Sequence, residues 1–140
     1  MKVVIDTNGF LASVPLKGKN KWLYHAFMEE KFIWVFSNEI LSEYSEILAQ
    51  KFGSNTTDFV LSSILSSSNH LKFEPSYKWQ LVTKDPDDDK FVDCAIGANV
   101  DFLVTDDKHI LNLLKINNLF PPIPIITFRQ FREVLKSQKV

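Results

Sequence analysis

Apolar residues fall along this chain in short β-branched or aromatic runs that alternate with stretches of helical spacing. Val3-Val4-Ile5, bounded by Asp6-Thr7-Asn8-Gly9, reads as a buried strand ending in a turn. Lys-rich Pro15 to Asn20 reads as a loop. Trp22, Leu23, Ala26 and Phe27 recur as on one helix face, and Phe32 to Phe36 is a second strand. Ser37 or Asn38 can cap a helix that carries Ile40, Leu41, Tyr44, Ile47 and Leu48 on one face and is stopped by Gly53. Thr57 to Ser68 reads as a helix with a serine-rich outer face, and Leu71-Lys72-Phe73 as a short strand. Asp85-Pro86-Asp87 opens a helix to about Ala98, with acids in the first turn where the helix dipole favours them. Phe102-Leu103-Val104 is a further strand, Asp107 to Ile116 a helix, Ile123 to Ile126 a last strand, and Thr127 caps a final helix. Strands alternating with helices from end to end predict a three-layer α/β/α fold around a parallel sheet of four to five strands.

No linker, repeat or low-complexity tract divides the 140 residues, so one domain over 1–140 is expected. Hydrophobic residues make up 45% and charged residues 24%, an ordinary globular balance, and no apolar run approaches the roughly 18 residues of a membrane span. Asp6 interrupts the first apolar run, so no signal-peptide core is expected. The single cysteine, Cys94, rules out an internal disulfide and fits a reducing cytoplasm. A net charge of −1 argues against binding polyanions through a strong global field. Contact with a nucleic acid would need a local patch or metal ions. Lys17, Lys19 and Lys21 supply such a patch near the first strand, although a solvated loop explains them as well.

The acids change the picture most. In an open α/β sheet, sites gather beyond the carboxyl ends of the strands. Asp6 follows the first strand there, and Asp106-Asp107 follow Phe102-Leu103-Val104 after Thr105. The helix opened by Asp85 adds Asp87, Asp88, Asp89 and Asp93, of which Asp89 and Asp93 share one face one turn apart. Asp93 stands inside an apolar run, where a carboxylate is unexpected, whereas Asp87 and Asp88 read as dipole-favoured first-turn acids. Glu43 lies with Glu39 and Glu46 on the polar side of its helix and would be a solvated residue by that pattern alone. Carboxylates gathered in one place stay ionised only beside a cation. All-oxygen ligands suit Mg²⁺ or Mn²⁺, which activate water and stabilise a leaving oxygen, so a phosphodiester is the natural substrate.

Four stretches in this order resemble the PIN-domain nucleases, and among them the VapC-related toxins of toxin–antitoxin systems. They are Val3-Val4-Ile5-Asp6-Thr7-Asn8, Leu41-Ser42-Glu43-Tyr44, Asp85-Pro86-Asp87-Asp88-Asp89-Lys90-Phe91 with Asp93-Cys94-Ala95, and Val104-Thr105-Asp106-Asp107. The resemblance covers essentially the whole chain. It implies metal-binding acids at Asp6, Glu43, Asp89 and Asp107, with Asp93 an additional acid of the site and Asn8 and Thr105 orienting carboxylates. The register leaves Asp88 beside Asp89 and Asp106 beside Asp107 as alternatives, with Asp106 otherwise capping the following helix. Asp93, Asp106 and His109 depart from the wider toxin pattern. The resemblance further implies Mg²⁺- or Mn²⁺-dependent cleavage of RNA to 5′-phosphate and 3′-hydroxyl ends, an antitoxin protein as partner, and a homodimer. Alternatives are a non-catalytic PIN-like RNA-binding module, an aspartyl-phosphate phosphotransfer enzyme, for which Asn8 stands where a second Asp is wanted, and a receiver-like module, for which Asp6 lacks an acidic neighbour.

Overall fold

The computed structural model describes residues 1–14 and 18–138, so Lys17 and part of the expected Pro15–Asn20 loop lie outside the described residues. The order of elements is β1 (Lys2–Ile5), α1 (Thr7–Ser13), α2 (Lys21–Met28), β2 (Ile33–Phe36), α3 (Asn38–Phe52), α4 (Ser54–Leu65), β3 (His70–Lys72), α5 (Asp89–Gly97), β4 (Phe102–Val104), α6 (Lys108–Leu111), β5 (Ile125–Ile126) and α7 (Phe128–Ser137). One-turn 3₁₀ segments, Pro86–Asp88 and Asn112–Lys115, precede α5 and follow α6. The five strands form one sheet in the order β3-β2-β1-β4-β5, every pair parallel. This is the parallel α/β arrangement that the alternating pattern predicts. Among the described residues no helix is long and apolar enough to cross a membrane.

The β-branched strands are buried as parallel strands require: Val3, Val4 and Ile5 are fully covered. Trp34 anchors an aromatic cluster, with Phe10 at 5.3 Å and Phe27 at 5.2 Å, both edge-on. Tyr44 is buried beside them and spends its hydroxyl twice: it donates to the Ile5 carbonyl and accepts from the Trp34 indole at 3.4 Å. That bond fixes the last carbonyl of β1, one residue before Asp6. On α7, Phe131 packs against Phe32 at 5.3 Å and Trp22 at 6.1 Å, joining the last helix to α2.

The structure corrects the sequence reading at several places, the expected Asp107–Ile116 helix among them, since only Lys108–Leu111 is α-helical before the 3₁₀ segment Asn112–Lys115, and the expected strand Leu71–Phe73 is His70–Lys72. Thr7-Asn8-Gly9 is the first turn of α1, not a turn between elements; Asp6 caps it by accepting from the Gly9 N–H at 2.9 Å. Gly9 is required there because a Cβ would stand 1.7 Å from the Phe128 ring of α7. Helix α4 starts at Ser54 because Gly53, at φ 85°, turns the chain within one residue of α3. Strand β5 is only Ile125–Ile126, since Pro124 has no N–H to give. The helix expected from Asp85 begins as a 3₁₀ turn and becomes α-helical at Asp89, which changes the direction in which each acid points.

Candidate active site

Strand order reverses on the two sides of β1, so β1 and β4 diverge to their separate connections just past Ile5 and Val104. Their register, Ile5 opposite Val104, sets Asp6 beside Thr105, and the Asp6 N–H donates to the Val104 carbonyl at 3.2 Å. Thr105 is fully buried. Its hydroxyl donates to Asp6 Oδ2 and accepts from the Asp107 N–H at 2.9 Å, so one side chain orients the ends of both strands. Asp107 caps α6, accepting from the His109 and Ile110 N–H groups at 2.8 and 3.4 Å. Asp106 turns the other way and accepts from the Phe128 N–H at 3.2 Å, so it holds the start of α7 and does not cap the helix that follows it.

Asp85, Asp88, Asp107 and His109 each offer a ligand atom, all within 4.8 Å of one another. His109 Nδ1 lies 3.5 Å from Asp85 Oδ2 and 3.8 Å from Asp107 Oδ1. Asp6 borders this group. Burial pushes its carboxyl up to about 6, against the bonds from Thr105 and Gly9, and the charges of Asp106 and Asp107 add to the rise. Asp88 is pushed up to about 7 by burial and then by the charges of Asp107 and Asp85. Its Oδ2 is buried without a hydrogen-bond partner. Among the described residues no lysine or arginine pairs with Asp6, Asp88 or Asp107. A buried, unpartnered carboxylate oxygen amid like charges lacks a counter-ion, and a hard divalent cation satisfies that need with the ligands present. The alternative relief is a proton on Asp88 donated to Asp107.

The other expected acids stand elsewhere. Asp89 Oδ1 accepts from the Val82 N–H at 2.9 Å, and Asp93 Oδ1 accepts from the Trp79 N–H at 3.0 Å. They do share one face of α5, as their spacing requires, but that face holds the backbone of the 79–82 segment against the helix. Burial raises the Asp93 carboxyl and the Trp79 bond opposes the rise, with Asp89 and Glu39 adding repulsion. Glu43 is fully engaged: Thr7 donates its hydroxyl to Oε2, and Lys90 Nζ sits 2.8 Å from Oε1. Lys90 is itself buried and reaches the Asp87 carbonyl at 2.7 Å and Oδ1 at 3.1 Å. Burial would lower its pKa, yet Glu43 and Asp87 outweigh that and leave it raised. Asn8 is exposed and lines a cavity of about 210 Å³ with Asp6, Asp106, Asp107 and Lys19. Cys94 is fully buried, and burial pushes its thiol up to about 12.

Asp85, read as opening a helix, His109, read as a departure from the toxin pattern, and Lys90 were not placed at the site from the sequence. Lys90 had a signal: a lysine next to Phe91-Val92, at the edge of an apolar run, is buried only when paired.

The family model for the PIN domain matches residues 2–109. No curated protein sequence matches the chain. Among solved structures, VapBC2 from Rickettsia felis, bound to a DNA fragment from its promoter, superposes with a TM-score of 0.62 at 16% identity, covering 91% of this chain and 99% of that one. VapC20 of Mycobacterium tuberculosis, a toxin that cleaves the sarcin-ricin loop, superposes with a TM-score of 0.57 at 10% identity, covering 78% and 93%. The PIN domain endonuclease Utp24 gives 0.53 at 21% identity, covering 90% and 84%. At such identities these likenesses speak to the fold.

Proposed function

Because the chain belongs to the PIN domain family, we propose that its acidic cleft is the active site of a metal-dependent endoribonuclease. The observation that carries this is the group of Asp85, Asp88, Asp107 and His109 beside Asp6, at the carboxyl ends of β1 and β4, with no lysine or arginine on Asp6, Asp88 or Asp107 among the described residues. Asp85, Asp88, Asp107 and His109 would supply the ligand atoms, with Asp6, which the resemblance makes a ligand, beside them. In this reading Asp88 takes the position that the resemblance gave to Asp89. A bound Mg²⁺ or Mn²⁺ supplies polarisation of the phosphodiester and stabilises charge on the leaving oxygen. Thr105 keeps Asp6 and Asp107 in fixed orientation, the outer support that such sites need. Glu43, neutralised by Lys90, holds Thr7 and thus the first turn of α1 rather than contacting the ion. Water adds to phosphorus while the bond to the 3′ oxygen breaks, leaving a 5′-phosphate and a 3′-hydroxyl.

RNA as substrate is favoured by the likeness to VapC20, a sarcin-ricin loop cleaving toxin. The likeness to the VapBC2 pair supports a restraining protein partner as a further part of the proposal. Copurification of the product of a neighbouring gene tests that part. The nuclease reading is tested with labelled single-stranded RNA, purified wild type and Asp88→Asn, in Mg²⁺, Mn²⁺ and EDTA. Cutting by wild type that is lost in Asp88→Asn and in EDTA is the expected result. RNA that is bound and never cut, with any of the metals, would favour a non-catalytic module.

A further inference from the structure

A groove runs from the acidic cleft to the opposite end of α7, and its lining is basic. Its first part, beside Asp6 and Asp107, is lined by Lys19, Asn20, Asp106 and Phe128. The same four residues line the next cavity, of about 290 Å³, where Arg129, Arg132 and Trp22 join them. Lys19, Trp22 and Arg132 then line a third, of about 470 Å³, closed by Lys21, Lys31 and Lys136. The two outer cavities thus carry six cations, Lys19, Lys21, Lys31, Arg129, Arg132 and Lys136, against Glu29 and Asp106. Lys31 and Lys136 are partly neutralised by Glu29 and Glu133, each at 3.4 Å. Lys19, Lys21, Arg129 and Arg132 make no ion pair among the described residues.

We infer that this α2–α7 groove is the track for one flank of a single-stranded RNA whose scissile phosphate lies in the acidic cleft. The inference deepens the nuclease reading and rests on it for the choice of RNA. A polymer cut at an internal bond must leave the cleft in two directions, and the cations begin where the acids end, on residues shared by both cavities. Unpaired side chains of a protein with net charge −1 gather here on one face. The aromatic component fits an unpaired strand: the Arg132 guanidinium lies over the half-buried Trp22 ring, 5.7 Å from its centre. Arg132 therefore presents a planar cation on which a base can stack. Most of these cations belong to α2 and α7, and α7 lies beyond residue 109, where the family match ends.

The test is binding of a labelled single-stranded RNA to the full chain in EDTA, over a salt series. The variants are Arg129→Ala with Arg132→Ala, and Lys51→Ala with Lys115→Ala as a pair of exposed lysines off the groove with the same charge change. The arginine pair should weaken binding at least tenfold and flatten the plot of log K against log salt by about 1.4, about 0.7 for each lost phosphate contact. The lysine pair should change neither, and unchanged melting curves show that both fold. Equal losses in the two pairs, an unchanged salt slope, or equally tight binding of poly-glutamate overturns the inference. The binding arm stands apart from cleavage. Wild type that binds through the arginines and cuts nothing refutes the nuclease and upholds the groove. Wild type that cuts RNA, with binding unchanged in the arginine pair, refutes the groove alone.

Discussion

Replacing Asp6 by Asn should stabilise the metal-free protein at pH 8 while abolishing its activity. Asp6 is 6% exposed, and its pKa rises from 3.8 to about 6 on folding, chiefly through burial. A folded-state pKa above the unfolded one means that the folded protein holds this proton more tightly. The associated stability is fully present below pH 3.8 and is lost as pH rises through about 6. At about 1.4 kcal/mol per pKa unit, the ionised carboxylate costs about 3 kcal/mol at pH 8, and about half of that returns by pH 5. Asn carries no such charge. It still accepts from the Gly9 N–H, and its amide turns toward Thr105. The gap between Asp6→Asn and wild type should therefore favour the variant by about 1.4 kcal/mol more at pH 8 than at pH 5, about 5 °C in Tm for a domain of this size. Asp88 sharpens the effect, because removing the Asp6 charge also relieves Asp88. The assay is urea or thermal unfolding of both proteins in EDTA at the two pH values. Curves with the same pH dependence in both proteins would refute the reasoning. With Mn²⁺ the order should invert at pH 8, since the ion stabilises only the protein that binds it.

Asp88, in the 3₁₀ turn before α5, and the acids on α5 should separate by function. Asp88→Asn should cost more activity than the about 10–100-fold typical of an outer partner, whereas Asp93→Asn and Asp89→Asn, which keep an oxygen for the Trp79 and Val82 N–H groups, should leave RNA cleavage nearly intact. Loss of cleavage in Asp93→Asn with an unchanged melting curve would return that residue to the site. Lys90→Met strands Glu43, and because Glu43 is 22% exposed the loss should fall below the about 3–5 kcal/mol of a fully buried pair, which urea titration of both proteins at pH 8 checks. Gly9→Ala drives a methyl into the Phe128 ring, and should cost about 1–3 kcal/mol in denaturant titration while lowering cleavage through the displaced start of α7.

The strands were legible because the β-branched and aromatic runs Val3-Val4-Ile5 and Phe102-Leu103-Val104 are buried, the second from Leu103 on, and a parallel sheet demands that. Helix α1 was hidden because Asp6-Thr7-Asn8-Gly9 carries the residues of a turn. The reason for Gly9 is a ring on α7, far along the chain. The acids after β1 and β4 pointed to the place where the structure gathers the candidate site. The choice among Asp87, Asp88 and Asp89 was not legible: three acids in a row cross from a 3₁₀ turn to an α-helix, and the angle between neighbours changes there from about 120° to about 100°. The Asp89–Asp93 spacing was read correctly as one face, but nothing local says what that face meets. His109 joins the acids because Asp107 caps α6 and the first turn of that helix brings His109 back toward Asp85.

The outer strands of the sheet are short, three residues in β3 and two in β5. A second copy docking edge to edge would find too few free backbone groups to build more than a rung or two of new ladder, so neither border is a template for fibrils or for a continuous sheet across two molecules. Short edges leave the side chains of helices and loops as the surface for any pairing of this protein with itself. A mutation there can tune self-association without disturbing the strands that carry Asp6 and Asp107.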